Sequence, residues 1–445
     1  MTRPTSPTRP TRLLRLLGLG FGIAVVIGGT IGVGILRTPG SVVARLGSEP
    51  LAIAVWVLGG LYALLGAFAL AELGTMTPET GGYFAYARRA FGPAIGFAVG
   101  WCDLLVYCTA LAYLSIAIGE FTGALAPRLA PHAKAIAIAT LLFSALLQWS
   151  GLRISSWVQE IVSALKAVGF IGLAVACLSV RPLPPVPPFQ VFLPFPPFQP
   201  FPPLVPLILA FQLVIGTYGG WYSAIYFTEE DTEPARHLPR ALITGVLLLT
   251  FIYVAVNLAF MAVLPIGQLG SSDLPAADAA VVVFGSRAAR LITLLSIVSL
   301  VGIINPLMMI ATRVLFAIAR DRRASGGLST LTAVSRRGTP EAALATITVA
   351  ALALVATGTF DRLFAMVAVF VTGNYVAAML SLIALRRREP NASRPFRAWG
   401  YPWTVWIVLA VSAAFLAGAV AGDPWNSAAA AGLLALSWPL WRVLR

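Results

Sequence analysis

The stretch Gly216–Arg240 reads GTYGGWYSAIYFTEEDTEPARHLPR. It follows Leu204–Ile215, a run apolar enough to be membrane helix. Gly216, Gly219 and Gly220 then fall within one and a half turns. A glycine costs about 1 kcal/mol against alanine in a helix interior, so such a cluster is wasteful in an ordinary span. Inside a bilayer, backbone leaves the helix only where protein or a water-filled cavity satisfies its N–H and C=O groups. A glycine-broken hydrophobic helix is therefore a candidate substrate site, more so if the other half of the chain holds a matching break. Gly28-Gly29-Thr30-Ile31-Gly32-Val33-Gly34-Ile35, in the first apolar segment, is that match.

Working outward, the composition sets the class. Of 445 residues, 58% are hydrophobic and 11% charged, and the mean hydropathy is +0.86. This is a polytopic membrane protein. A net charge of +14 in a soluble chain would suggest nucleic acid. Here the arginines sit in short loops between apolar spans, which points to membrane topology and leaves no basic face for nucleic acid. Cys102, Cys108 and Cys177 lie in apolar segments without metal-ligand or disulfide spacing. His132 and His237 are far apart, so no metal site is expected.

About twenty apolar residues cross a bilayer, which divides the chain into twelve expected spans. The first six are 16–46, 51–76, 94–125, 134–150, 156–180 and 204–228. The second six are 240–264, 288–318, 341–358, 361–385, 402–421 and 426–443. With both termini in the cytoplasm, loop Arg and Lys favour that side by better than two to one. Residues 1–15 form a Pro/Thr/Arg tail expected to be disordered, without the cleavage site of a signal peptide. Residues 181–203 are a proline-rich external connector, where helix is disfavoured and an extended path expected. Gly81–Pro93, GGYFAYARRAFGP, has the aromatic and basic pattern of an interfacial helix on the cytoplasmic face.

The two breaks suit a zwitterion. Where a half-helix restarts near Ile35, its N-terminal N–H groups and positive dipole end suit a carboxylate. Free carbonyls around Ile27–Thr30, with others near Gly216–Gly219, suit an ammonium. The competing explanation is that these glycines only let helices pack closely. Two clusters at matching positions, five spans apart, favour a site.

Several further motifs stand in a fixed order. Gly32-Val33-Gly34-Ile35 precedes Thr38-Pro39, and Ala71-Glu72-Leu73-Gly74 precedes Pro78 and Gly81-Gly82-Tyr83. Tyr218-Gly219-Gly220-Trp221 leads to Glu229-Glu230, Pro234 and Leu238-Pro239-Arg240-Ala241. Asn305, Arg313 and Ala319-Arg320-Asp321 follow in the eighth span. Arg386–Pro390, Arg394-Pro395-Phe396-Arg397 and Gly400-Tyr401-Pro402 precede the eleventh. In this order the chain resembles, nearly end to end, the amino acid–polyamine–organocation (APC) superfamily of LeuT-type fold. It is most similar to bacterial amino acid permeases and L-type exchangers.

The resemblance implies an all-α fold of about twelve transmembrane helices, with helices 1 and 6 broken. Residues 16–180 and 204–385 would be inverted repeats of five spans each, followed by a cytoplasmic loop and spans eleven and twelve in 386–445. It implies alternating-access transport of amino acids, as an antiporter or by proton-linked uptake, in the plasma membrane (the bacterial inner membrane). The substrate site would comprise Thr30, Ile31, Gly32, Val33, Gly34, Gly216, Thr217, Gly219, Tyr222 and Asn374. The carboxylate would meet the N–H groups of Val33 and Gly34, and the ammonium the carbonyls of Thr30, Gly216 and Gly219. Tyr218, Trp221 and Tyr375 are gating candidates. No cofactor, metal or partner subunit is implied.

Two departures bear on the substrate: Gly216 stands where relatives often place an aromatic lid, and Tyr222 where L-type exchangers carry a small amide. Intramembrane charges cost about 2.5–3.5 kcal/mol at a helix centre, so each needs a reason. Glu72 is expected to pair with a loop arginine, and Glu229 or Glu230 with Arg236, Arg240 or Arg320. Asp103 is divided between structural pairing and tuning of the pocket. Lys166 is one of only two lysines and lies about ten residues inside span five, roughly 15 Å from its end. Its stem cannot reach the interface. The resemblance places its ammonium where sodium-dependent relatives bind a coupling ion, bonded near Gly29. The reading is a sodium-independent carrier of neutral amino acids, with cationic amino acids or polyamines as the alternative, Asp103 then meeting the cation. A channel would want a continuous polar path, and a membrane enzyme a nucleophile–base pair or metal ligands; the sequence displays neither.

Overall fold

Long apolar runs in a bilayer satisfy their own backbone groups as helix, and helix is what forms. The computed structural model describes residues 12–180, 204–321, 326–357 and 360–443. The N-terminal tail up to residue 11 and the proline-rich connector 181–203 lie outside them.

The first half holds α1 (Leu19–Thr30), α2 (Gly34–Leu46), α3 (Glu49–Met76), α4 (Tyr83–Phe91), α5 (Pro93–Leu125), α6 (Ala133–Trp149) and α7 (Leu152–Val180). After the connector come α8 (Leu204–Tyr218), α9 (Pro234–Val263), α10 (Ile266–Ser271), α11 (Pro275–Phe284) and α12 (Ala288–Asp321). The chain ends with α13 (Glu341–Thr357), α14 (Phe360–Arg388), α15 (Trp403–Gly422), α16 (Pro424–Ala435) and α17 (Ser437–Val443). Among the described residues there is no strand, only an isolated bridge between Leu17 and Asp231.

Nine helices among the described residues are long and apolar enough to cross a membrane, or ten when the bent pair α1–α2 counts as one. The ninth and twelfth expected spans are the shorter ones. Span nine is α13, of 17 residues, about 26 Å at 1.5 Å per residue. Span twelve is not continuous but divided into α16 and α17. The tenth runs three residues past its expected end, so Arg386, Arg387 and Arg388 finish α14 instead of opening a loop.

Burial separates a core from a rim. Of the most apolar window of α12, 67% is buried, against 17% in α15. Around α12 pack α1, α5, α7 and α13, and α9 joins α1 to α3 and α7. Gly81–Pro93 corrects the expectation of an interfacial helix. Gly81 and Gly82 turn the chain with positive φ, and α4 enters the bundle against α5 and α14. Tyr83, Phe84 and Tyr86 are buried there, while Arg88 and Arg89 remain exposed. Its aromatic face found protein, not lipid headgroups.

Candidate substrate site

At the first break, α1 stops because Ile31 takes an extended conformation (φ −70°, ψ 107°). The chain resumes as α2 at Gly34 after a 50° bend. The first turn of any helix leaves N–H groups without intrahelical partners. No side chain caps α2, and Gly32, Val33 and Gly34 line a cavity. The carbonyls at the end of α1 are partly claimed: the Lys166 ammonium donates to Gly28 O at 2.9 Å and Ile31 O at 3.1 Å. The Tyr253 hydroxyl lies 3.2 Å from Thr30 O and 3.1 Å from Thr217 O, tying the two breaks together.

At the second break, α8 ends at Tyr218 and Gly220 takes φ +111°. A Cβ at Gly220 would stand 2.5 Å from Gly29 O, so this glycine is required by both its conformation and its neighbour. Gly220 O then accepts from the N–H and the hydroxyl of Ser223. The chain leaves as a 3₁₀ turn over Ser223–Phe227, not as a second α-helical half.

Both breaks line one cavity of about 530 Å³. Tyr62, Tyr107, Tyr222 and Tyr375 give it aromatic walls, and Ile303, Leu307 and Val371 apolar ones. Among the described residues, its only charged lining side chains are Arg37 and Glu120. Both are exposed, and the Arg37 guanidinium sits 5.7 Å from the centre of the Phe121 ring. They mark the open end; the deep part is uncharged.

Of the residues singled out from sequence, Gly29, Thr30, Gly32, Val33, Gly34, Gly216, Thr217, Gly219, Tyr222 and Tyr375 line this cavity. Ile31 is fully buried behind it. Asn374 faces Asp103, its amide nitrogen 2.5 Å from Oδ1. Tyr218 is buried, its hydroxyl donating to Trp56 O at 3.1 Å. Trp221 is buried against Gly66, where a Cβ would stand 2.6 Å from the indole. Lys166 lies behind the first break, fully buried. Tyr62, Tyr107, Ser223 and Tyr253 carried no signal, since a lone hydroxyl residue in an apolar span has no periodicity or spacing to mark it.

The other end of the bundle is closed by ion pairs. Glu230 and Arg313 form a fully buried two-bond pair, with both contacts at 2.9 Å. Glu229 receives Arg320 at 2.6 and 2.7 Å, and the Thr80 N–H at 3.1 Å. Arg89 meets Glu389, Arg88 meets Asp321, and Arg386 and Arg394 hold the buried Glu72. Glu229 thus takes the expected Arg320, while Glu230 takes Arg313 and not Arg236 or Arg240. Burial alone would raise the Glu229 carboxyl, but Arg320 and the Thr80 N–H hold it below its ordinary value. At Glu230 burial prevails and lifts the carboxyl above it, against the pull of Arg313. Removing one partner of such a buried pair typically costs about 3–5 kcal/mol. Glu230→Gln should therefore lower the midpoint of thermal unfolding in detergent. Adding Arg313→Gln should restore part of the loss, and a double variant as unstable as the sum of the singles would refute the pairing.

A polytopic bundle with two broken helices facing one cavity, its described charged residues confined to the exposed end, is the architecture of a membrane carrier. Residues 22–441 match the family model described as amino acid permease, and the chain belongs to that family, within the APC superfamily. The serine/threonine exchanger SteT of Bacillus subtilis is 28% identical over 404 residues, 90% of this chain and 89% of that one. The Asc-type amino acid transporter 1 of Mus musculus is 30% identical over 390 residues, 86% of this chain and 72% of that one. The b(0,+)-type amino acid transporter 1 of Homo sapiens is 27% identical over 412 residues, 90% and 81% respectively. This chain is an amino acid transporter of the membrane, and not an enzyme.

Proposed function

We propose that the protein is a secondary-active, sodium-independent carrier of neutral amino acids working by alternating access, through exchange or proton-linked uptake. The observation that carries this reading is the cavity itself. Residues of two broken helices line it, and among the described residues the only charged side chains, Arg37 and Glu120, stand at its exposed end. The first turn of α2 would take the substrate carboxylate, and the carbonyls of Thr30, Gly216 and Gly219 its ammonium. A cationic side chain or a polyamine would want an acid in the pocket. Glu120 lines only the exposed end, and Asp103 is buried off the cavity and already bonded to Tyr226 and Asn374. One relative is named a serine/threonine exchanger, and another, at 28% identity, is a "Large neutral amino acids transporter small subunit 2" of Homo sapiens. In this reading α1–α7 and α8–α14 contain the two inverted repeats, and both termini face the cytoplasm of a bacterial cell. The chain acts without a partner subunit.

The sodium claim rests on Lys166, whose ammonium already occupies the carbonyls of Gly28 and Ile31. Counterflow in proteoliposomes holding only this chain tests the whole reading. Internal unlabelled serine, alanine or leucine should stimulate uptake of the labelled amino acid, with choline in place of sodium on both sides. Loss of uptake in choline would overturn the sodium claim. Accumulation of labelled arginine or putrescine that alanine, serine and leucine cannot compete would overturn the neutral one.

A further inference from the structure

The other buried carboxylates among the described residues each face a basic side chain: Glu72 has Arg386 and Arg394, Glu230 has Arg313, and Asp231 has His237. Asp103, 2% exposed on α5, does not. Its partners are the Tyr226 hydroxyl at 2.8 Å and the Asn374 amide at 2.5 Å. Both can serve either form of the carboxyl. A tyrosine O–H rotates from donor to acceptor, and an asparagine amide turns to present its oxygen. An arginine, which only donates, would hold the ionised form.

The groups around this carboxyl are hydroxyls and a thiol. Tyr83 of α4, Cys102 and Tyr107 of α5, and Tyr222 and Tyr226 beyond α8 surround it, and Tyr375 of α14 packs on Tyr222. Among the described residues, the basic groups on the elements packed here are turned elsewhere: Arg88 and Arg89 of α4 to Asp321 and Glu389, Arg313 of α12 to Glu230, and Arg386 of α14 to Glu72. The Tyr107 ring lies 5.7 Å from that of Tyr226, and Tyr222 lies 5.5 Å from Tyr375. Tyr107, Tyr222 and Tyr375 also line the cavity. A cluster of tyrosines thus lies between the cavity and a buried carboxylate that has no basic partner, and an ionisable group inside a span is by default a functional one, as in proton or ion paths.

We propose that Asp103 is a proton-binding site, loaded from the cavity through this tyrosine cluster and emptied when the closed end opens. Tyr226 stands four residues before Glu230. Opening the Glu230–Arg313 pair therefore moves the segment that holds one of the two Asp103 hydrogen bonds, and the affinity for the proton changes with the gate. The proton comes from water on one side and returns to water on the other, travelling with the amino acid. This rests on the carrier reading above, and the experiment separates the two.

The full chain is reconstituted with a pH-sensitive dye inside the vesicles, and counterflow is measured first with equal pH on both sides. Absence of counterflow overturns the carrier reading, whatever the protons do. With counterflow present, adding a transported amino acid outside vesicles that hold none should acidify the lumen. An imposed gradient of one pH unit should raise the accumulation ratio about tenfold for one proton per substrate. Asp103→Asn should abolish the proton signal and flatten the ratio of uptake rates at acidic and neutral pH. Tyr226→Phe removes a donor to the ionised form, so the midpoint of the pH profile should move to higher pH. Counterflow without proton movement in the unaltered protein overturns the proposal, as does a wild-type proton signal in Asp103→Asn. If Asp103→Asn does not fold, an unmoved midpoint in Tyr226→Phe overturns it.

Discussion

Lys166→Ala is expected to yield folded protein that has lost nine-tenths or more of its transport. The ammonium bonds two carbonyls on either side of the point where α1 gives way, Gly28 O and Ile31 O. Without it, two buried acceptors lose their donor, at about 1–3 kcal/mol each. The loss falls on the loop that presents Val33 and Gly34, so it should appear in transport before it appears in overall stability. A population shift of about 1.4 kcal/mol away from the ordered loop already costs tenfold in apparent affinity. The side chain also runs along α12, where a Cβ at Gly302 would stand 2.5 Å from Lys166 Cε. Removing it opens space that water can enter. The measurement is substrate-induced thermal stabilisation together with counterflow. Wild-type rates in Lys166→Ala, with an unchanged stabilisation by substrate, would remove Lys166 from the mechanism.

Gly34→Val should abolish substrate binding and leave monodisperse protein. An ideal Cβ on Gly34 would meet Thr217 Cγ2 at 3.0 Å and Oγ1 at 3.3 Å, tighter than ordinary contact. The two methyl groups of valine extend further, toward the cavity that Gly34 lines. Thr217 cannot readily yield, since its hydroxyl is bonded to both Thr38 Oγ1 and Leu213 O. The clash therefore pushes α2 and α8 apart at the site itself. Gly32→Ala is the control. Its Cβ would meet only the tip of Ile303, at 2.5 Å from Cδ1, and that flexible end can turn away. Binding measured by isothermal titration or scintillation proximity should vanish in the first variant and survive in the second. Full transport by Gly34→Val would refute the carboxylate assignment.

What the sequence by itself determined is local. Apolar runs name the spans, because the bilayer demands helix wherever twenty such residues follow one another. The two glycine clusters name the breaks for the same reason, since Gly28–Gly34 and Gly216–Gly220 carry their conformational meaning within one or two turns. Short elements lay at the edge of that logic. The twelfth span divided into α16 and α17, and α4 turned its aromatic face into the bundle instead of onto a membrane surface, because only the fold supplies the surface it packs on.

Tertiary structure alone decided the partners. Arg313 finds Glu230 83 positions away, and Asp103 bonds Asn374 at 271, whereas the bond of Lys166 near Gly29 is implied by the family resemblance. No periodicity links residues so separated. The same applies to Tyr253, an ordinary aromatic in α9 until the two breaks converge on its hydroxyl. It applies as well to Tyr218 and Trp221, whose rings are buried beside the cavity in this conformation. The chemistry that the chain requires is written in residue types, while each charge's partner depends on which helices pack together.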